Sequence, residues 1–205
     1  MVTLFVGPER AQFLVHKDVI CQVSDFFTKA FNSEFSEAKT ASMDLPEEDP
    51  NLFEVFVRWL YHPLIEDAKE THPDAEKKSH TLLVRLYLLA DKYSIVTLKR
   101  SIIDHLVFYI RLNPAGIYAP SLHDLSKIYE NAPASSGLRK LFLDWFKWGI
   151  NLDFWKAKNS NDKLKDMPEV AADLVCAYAA RIQADSNGSK LWRQKIAAAD
   201  YYDKE

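Results

Sequence analysis

Six histidines, two cysteines and one acidic run are the residues in this 205-residue chain whose types could carry chemistry. His16 ends an alternating stretch, Phe13 to Val15, and opens one spaced at threes and fours. It therefore sits at a strand-to-helix switch. An imidazole there is read as a structural hydrogen-bonding group, because no second ligand or nucleophile lies nearby in sequence. His62, His72 and His80 flank or lie in "PLIEDAKETHPDAEKKSH". A metal site and a solvated loop are the two readings, and nothing in this segment orders ligands, which favours the loop. Cys21 lies in an apolar helical segment without an activating charge in sequence, so it reads as a buried small hydrophobe. Cys21 and Cys176 cannot staple a chain this long and lack zinc-ligand spacing. Both are expected to be reduced and mostly buried, as in an intracellular protein. Glu47-Glu48-Asp49 could pair carboxylates, but it precedes a helix start, where anions gain about 0.3–1 kcal/mol each from the dipole. Trp145, Phe146 and Trp148 could stack on a ligand, but at helical spacing they read as core.

No Gly-rich phosphate loop, zinc-protease helix or nucleophile elbow is present, and the chain has only five glycines. No enzyme, cofactor or metal is expected, and an empty catalytic search points to an interaction module. The net charge of −3 and pI of about 6.1 argue against nucleic acid and against an anionic membrane surface as partners. No apolar run of about 18 residues exists to span a bilayer. The opening "MVTLFVGPER" lacks the basic-then-apolar order of a signal peptide.

The elements that must position these residues follow from the hydrophobic spacing. Val2, Leu4 and Val6 alternate, "GPER" supplies a turn, and Phe13 and Val15 alternate again, which predicts a β-hairpin. Helical spacing then runs from Asp18 to Asn32 through Val19, Val23, Phe26, Phe27 and Ala30, with Ser24 placed to cap a second short helix. "EFSEAKTA" reads as a polar connection and "SMDL" as a short strand stopped by Pro46. Asp49-Pro50 starts a helix whose Leu52, Phe56, Trp59 and Leu60 share one face. After the charged stretch, "TLLVRLYLLADKY" is apolar nearly all round and predicts a buried helix. Ser94 is placed to cap the next, which carries Ile95, Leu98, Ile102, Leu106 and Ile110. Asn113-Pro114 closes this first unit, and everything beyond it reads as helical.

These residues in this order resemble the BTB/POZ family. The resemblance rests on Phe13-Leu14-Val15-His16-Lys17 with Val19-Ile20, on Ser24 with Phe26-Phe27, and on Phe35-Ser36-Glu37. It continues through Asp44-Leu45-Pro46-Glu47-Glu48-Asp49-Pro50 with Phe53, Trp59-Leu60-Tyr61, Leu89-Ala90-Asp91-Lys92-Tyr93 and Leu98-Lys99. It covers about residues 2 to 111 and looks most like BTB proteins of filamentous fungi.

The resemblance implies an α+β fold: a BTB/POZ domain over 1–112, with a small three-stranded sheet capped by a helical cluster, then an all-helical extension over 113–205. It implies a protein–protein interaction module, located in cytoplasm, nucleus or both. One implied role is an adaptor or scaffold for a cullin-3-type ubiquitin ligase. The other is an oligomerising transcriptional co-regulator that binds no cullin. A cullin scaffold and a second copy of the chain are thus the candidate partners. In adaptors of the family a hydrophobic-x-acid motif after the helical hairpin contacts the cullin, and Phe35-Ser36-Glu37 falls in that place, with Phe35 as anchor and Glu37 as orienting charge. Tyr61 and Tyr93 belong to the same face by similarity; His16, Lys17 and Ser24 are structural. Many members carry an acid before the first strand, for which Lys17 would be the counterpart; this chain starts at Met1-Val2, which leaves the exchanged-strand dimer open.

Overall fold

The computed structural model describes residues 1–63, 75–112, 120–150, 160–183 and 188–203. Val2–Val6 (β1) and Ala11–Val15 (β2) form the antiparallel hairpin, with Val2 opposite Val15 and Val6 opposite Ala11. Its turn needs Gly7 at φ 76° and Arg10 at φ 54°. A Cβ on Gly7 would also come within 2.9 Å of Pro50 Cγ, so both conformation and space select glycine. Ser42–Leu45 (β3) pairs with the other edge of β1, parallel, in the order β2-β1-β3. A parallel partner requires a crossover. Three short helices supply it. Strand alternation then buries Val2, Leu4, Val6, Val15, Met43 and Leu45 on one face.

The first two crossover helices are Lys17–Val23 (α1) and Asp25–Asn32 (α2), and Ser24 breaks them apart. Ser24 is extended, at ψ 118°, and its hydroxyl caps α2 by accepting the Phe27 N–H. The break resets the helical phase. Ile20, Phe27 and Phe31 are therefore the fully buried residues, while Val19, Val23 and Ala30 are half-buried and Phe26 is exposed. Burying each such phenylalanine is worth about 1.5–3 kcal/mol. The segment read as a polar connection contains Ser36–Thr40 (α3), a five-residue helix with no buried residue, ended by Ala41 at φ 50°.

Pro50–Tyr61 (α4) begins as its sequence predicts: the Asp49 carboxylate accepts the Asn51 N–H and Pro50 opens the helix. Leu52, Phe53, Phe56, Trp59 and Leu60 are buried. Ala75–Lys92 (α5) starts inside the stretch read as a loop through His80, so that reading is corrected for 75–80. His72 and the Asn113-Pro114 boundary lie outside the described residues. Ser94 does not cap Val96–Leu112 (α6). It adopts φ 53°, its amide bonds to the Asp91 carbonyl, and it ends α5 instead. The stripe Ile95, Leu98, Ile102, Leu106 and Ile110 is buried.

The chain divides into two compact units, one of Met1–Glu66 with Arg85–Ile102, the other of Asp67–Val84 with Ile103–Glu205. The second contains Leu122–Asn131 (α7), Gly137–Gly149 (α8), Ser160–Lys165 (α9), Pro168–Ile182 (α10), Gly188–Lys195 (α11) and a 3-10 turn, Ala198–Tyr201. Ser121 and Asp124 form a full capping box on α7. Arg139 ties three helices: it donates to Glu169 and to the Tyr129 carbonyl, and its guanidinium lies 4.1 Å from the Tyr129 ring centroid. A Cβ on Gly137 would overlap the Tyr201 carbonyl, so glycine lets the C-terminal turn close on α8. The Asp203 carboxylate accepts the Gly137 N–H at 2.6 Å.

Two expectations for single residues fail here. His80 is not solvated; it is buried, 5.2 Å from the Tyr109 ring and 5.0 Å from the Trp145 ring, both edge to face. A helix running through 75–80 carries it into the core. Cys176 is free but exposed, because α10 packs through its opposite side. Trp145 and Phe146 are core as read, and Trp148 is half-buried.

Candidate protein-binding site

Phe35 is 64% exposed, the outlier among the aromatic residues described in the first unit. It is held out by local geometry. Asn32 ends α2, Ser33 turns extended, and the Phe35 N–H donates to the Ser33 hydroxyl. Phe35 is the N-cap residue of α3, extended at ψ 163°, so its side chain precedes the helix instead of packing under it. Glu37 follows in the first turn and accepts from the Ser36 hydroxyl at 3.0 Å. An exposed ring thus precedes a half-buried carboxylate two residues on. No cation within bonding distance neutralises Glu37 among the described residues.

Tyr61, at the end of α4, is bonded to the strand-to-helix switch. Its hydroxyl oxygen accepts the His16 N–H at 2.9 Å and lies 2.9 Å from His16 Nδ1, with the rings edge to face. The Tyr61 ring remains partly exposed. Lys17, the next residue, donates Nζ to the Phe31 carbonyl at 2.7 Å. An ammonium at the C-terminus of α2 answers the partial negative charge there. His16 and Lys17 thus fix the start of α1 against α4 and against the end of α2.

Tyr93 is placed differently. It is 2% exposed, so a partner would not meet it directly in this arrangement. Its hydroxyl donates to Glu48 at 2.7 Å, its carbonyl accepts from the Ser24 hydroxyl at 2.6 Å, and Phe27 stacks on its ring at 5.2 Å. Burial first, then the bond to Glu48, holds the phenol well above its ordinary pKa. What the surface shows at this point is Phe26, which leans edge-on against Tyr93 at 5.1 Å. Sequence reasoning assigned Phe26 to the core and missed it as a surface group; the helix break at Ser24 was the available signal.

The acidic run does more than face a helix dipole. Glu48 also accepts from Lys92 at 2.5 Å, and Asp49 pairs with Arg85 at 2.6 Å. The bond from Arg85 and that from the Asn51 amide hold the Asp49 carboxyl below its usual range. These acids cross-link the turn before α4 to α5. Cys21, expected as a buried small hydrophobe, is only half-buried, and burial raises the pKa of its thiol. Among the described residues no cluster of three His, Cys, Asp or Glu could hold a metal, and no helix is long and apolar enough to cross a membrane.

The BTB/POZ domain family model matches residues 2–108. The chain belongs to the BTB/POZ family. The match spans the whole sheet, the crossover helices and α4 through most of α6. No curated protein matches the chain. A BTB/POZ domain is a protein–protein interaction module. Among the candidate residues Phe35 is exposed and Glu37 half-buried, Tyr61 is a half-exposed ring pinned by His16, and Tyr93 with Ser24 is buried beneath Phe26.

Proposed function

We propose that this BTB/POZ protein is a non-enzymatic adaptor or scaffold that recruits a cullin-3-type ubiquitin ligase through Phe35 and Glu37. The observation that carries the reading is the 64% exposure of Phe35 at the start of a helix with no buried residue of its own. An apolar ring held in water is available as an anchor, and truncating an anchor of that kind costs about 2 kcal/mol or more of binding. Glu37 supplies the charge that orients it, and Tyr61 and Tyr93, the latter through Phe26, join the contact by similarity to the family. In this reading residues 1–112 are the BTB/POZ domain and 113–205 a helical extension that adds a second surface. The residue pattern agrees with a filamentous-fungal source and with action in cytoplasm, nucleus or both.

Pulldown from extracts of the source organism tests the reading. The full chain should retain a cullin, and Phe35→Ala with Glu37→Ala should release it. Retention that ignores both changes would remove Phe35 and Glu37 from the contact. Self-association with no cullin retained would favour the oligomerising co-regulator.

A further inference from the structure

Asn32 to Ser42 is a run of eleven residues with none buried, and no longer run of that kind occurs among the described residues. The helix inside it, α3, has five residues and buries none of them. Isolated helices shorter than about 12–15 residues are marginal in water, so α3 opens at little cost. Four hydroxyls lie along the run. Ser33 Oγ accepts the Phe35 N–H at 3.3 Å, Thr40 Oγ1 donates to the Ser36 carbonyl at 2.9 Å, and Ser42 Oγ donates to Thr40 Oγ1 at 3.0 Å. These three brace the two ends of the segment. Ser36 differs. It is exposed, and among the described residues its hydroxyl donates to the Glu37 carboxylate at 3.0 Å and holds no backbone group. It therefore stands between the exposed ring of Phe35 and the acid beside it, in a segment that can be drawn out into an enzyme's cleft.

We propose that Ser36 is a phosphorylation site whose modification switches off the Phe35 contact. The proposal rests on the cullin reading and adds its regulation. The co-reactants are a protein kinase and ATP. Ser36 Oγ attacks the γ-phosphorus, the Oγ–P bond forms as the bond to the β–γ bridging oxygen breaks, ADP leaves, and the hydroxyl proton passes to the kinase's catalytic base. A phosphatase reverses the step with water and releases inorganic phosphate. Melting α3 into the kinase cleft uncovers no buried side chain, so the rest of the domain stays folded meanwhile.

The product disrupts the contact in three ways. The esterified Oγ has no proton to donate, so its bond to Glu37 is lost. The phosphate carries about −1.5 to −2 charges at neutral pH and repels the Glu37 carboxylate next to it. A partner that buries the Phe35 ring must also strip water from a dianion one residue away, which costs far more than burying a hydroxyl.

The test has two arms. In the first, the full chain is isolated from the source organism with phosphatase inhibitors and cut with trypsin, which releases residues 30–39 between Lys29 and Lys39. Fragmentation of that peptide should place a phosphate on Ser36. In the second, the full chain is made with phosphoserine at position 36 and titrated, beside the unmodified chain, with the N-terminal region of the organism's cullin-3-class protein. Its Kd should rise about ten-fold or more, and phosphatase treatment should restore it, which separates a charge effect from a folding defect. Equal affinity of the two chains would overturn the switch and leave the cullin contact standing. Absence of phosphate from Ser36 in both growing and starved cells would overturn it as well. If the unmodified chain takes up no cullin, the functional reading fails and the switch falls with it.

Discussion

The Tyr61 hydroxyl lies 2.9 Å from both the backbone nitrogen and the ring Nδ1 of His16, so one phenol bonds the start of α1 to the end of α4. The backbone N–H donates to the phenol oxygen, and the phenol proton is left for the imidazole nitrogen when that nitrogen is unprotonated. Tyr61→Phe removes both bonds and keeps the ring. The site is open to water, which replaces much of what is lost, so the expected cost is about 1 kcal/mol, read from urea unfolding. A loss near zero would show that the pair does not fix the junction.

Ser24 should matter more. It is buried, it caps α2, and it donates to the Tyr93 carbonyl. Ser24→Ala loses the cap and leaves that carbonyl without its partner in a dry place. The two losses together predict about 2–3 kcal/mol, measured as a lower denaturant midpoint with unchanged slope. Ser24→Thr should recover part of it.

The pH response has two arms with opposite signs. The Asp49 carboxyl is held low in the folded chain by Arg85 and the Asn51 amide. Its contribution is present above its unfolded pKa and is lost as pH falls through the folded one. Acid should therefore destabilise below about pH 4, and Asp49→Asn should flatten that limb. The phenols of Tyr93, Tyr129 and Tyr201 are held high, in each case by burial first. Their contribution is complete below the ordinary phenol pKa of about 10 and drains away above it. Thermal melts between pH 9 and 12 should fall with pH, and less steeply in Tyr129→Phe.

Gly137→Ala tests the closure of the C-terminal turn. The added methyl would overlap the Tyr201 carbonyl, which is backbone and cannot swing aside. The turn must shift, straining the Asp203 bond to the Gly137 amide and the Tyr201 bond to Asp144. The expected loss is about 1–3 kcal/mol, in the range of forced overpacking, with early loss of the tryptophan fluorescence of α8. A variant as stable as the parent would show that the turn does not sit as described.

Local chemistry is what made much of this fold readable. Gly7-Pro8, Asp49-Pro50 and Ser24 each work through a few neighbouring residues, and each does in the structure what its type predicts. The strand Ser42–Leu45 was equally plain from Met43 and Leu45. Where distant partners decide, the sequence was mute. Nothing near Glu48 announces Tyr93, 45 residues on. His80 sits beside lysines in sequence and beside Tyr109 and Trp145 in space. A continuous helical period from Asp18 to Asn32 also misassigned Phe26, because a single extended residue rotates all that follows it. In the candidate site, the order Phe35-Ser36-Glu37 was legible as a motif, whereas the burial of Tyr93 depended on long-range packing. The exposed face of α10 escaped notice because alanine, valine and isoleucine at helical spacing look the same whether they face a core or water.

The central claim is that Phe35 is the anchor of a cullin contact. Isothermal titration of the purified full chain with the N-terminal region of the source organism's cullin-3-class protein tests it most directly. The account predicts saturable one-to-one binding per chain, weakened by Phe35→Ala by about 2 kcal/mol or more, a thirty-fold change in Kd, and by Glu37→Ala to a smaller degree. An unchanged Kd in the double variant, or no heat with the unaltered chain, would contradict it.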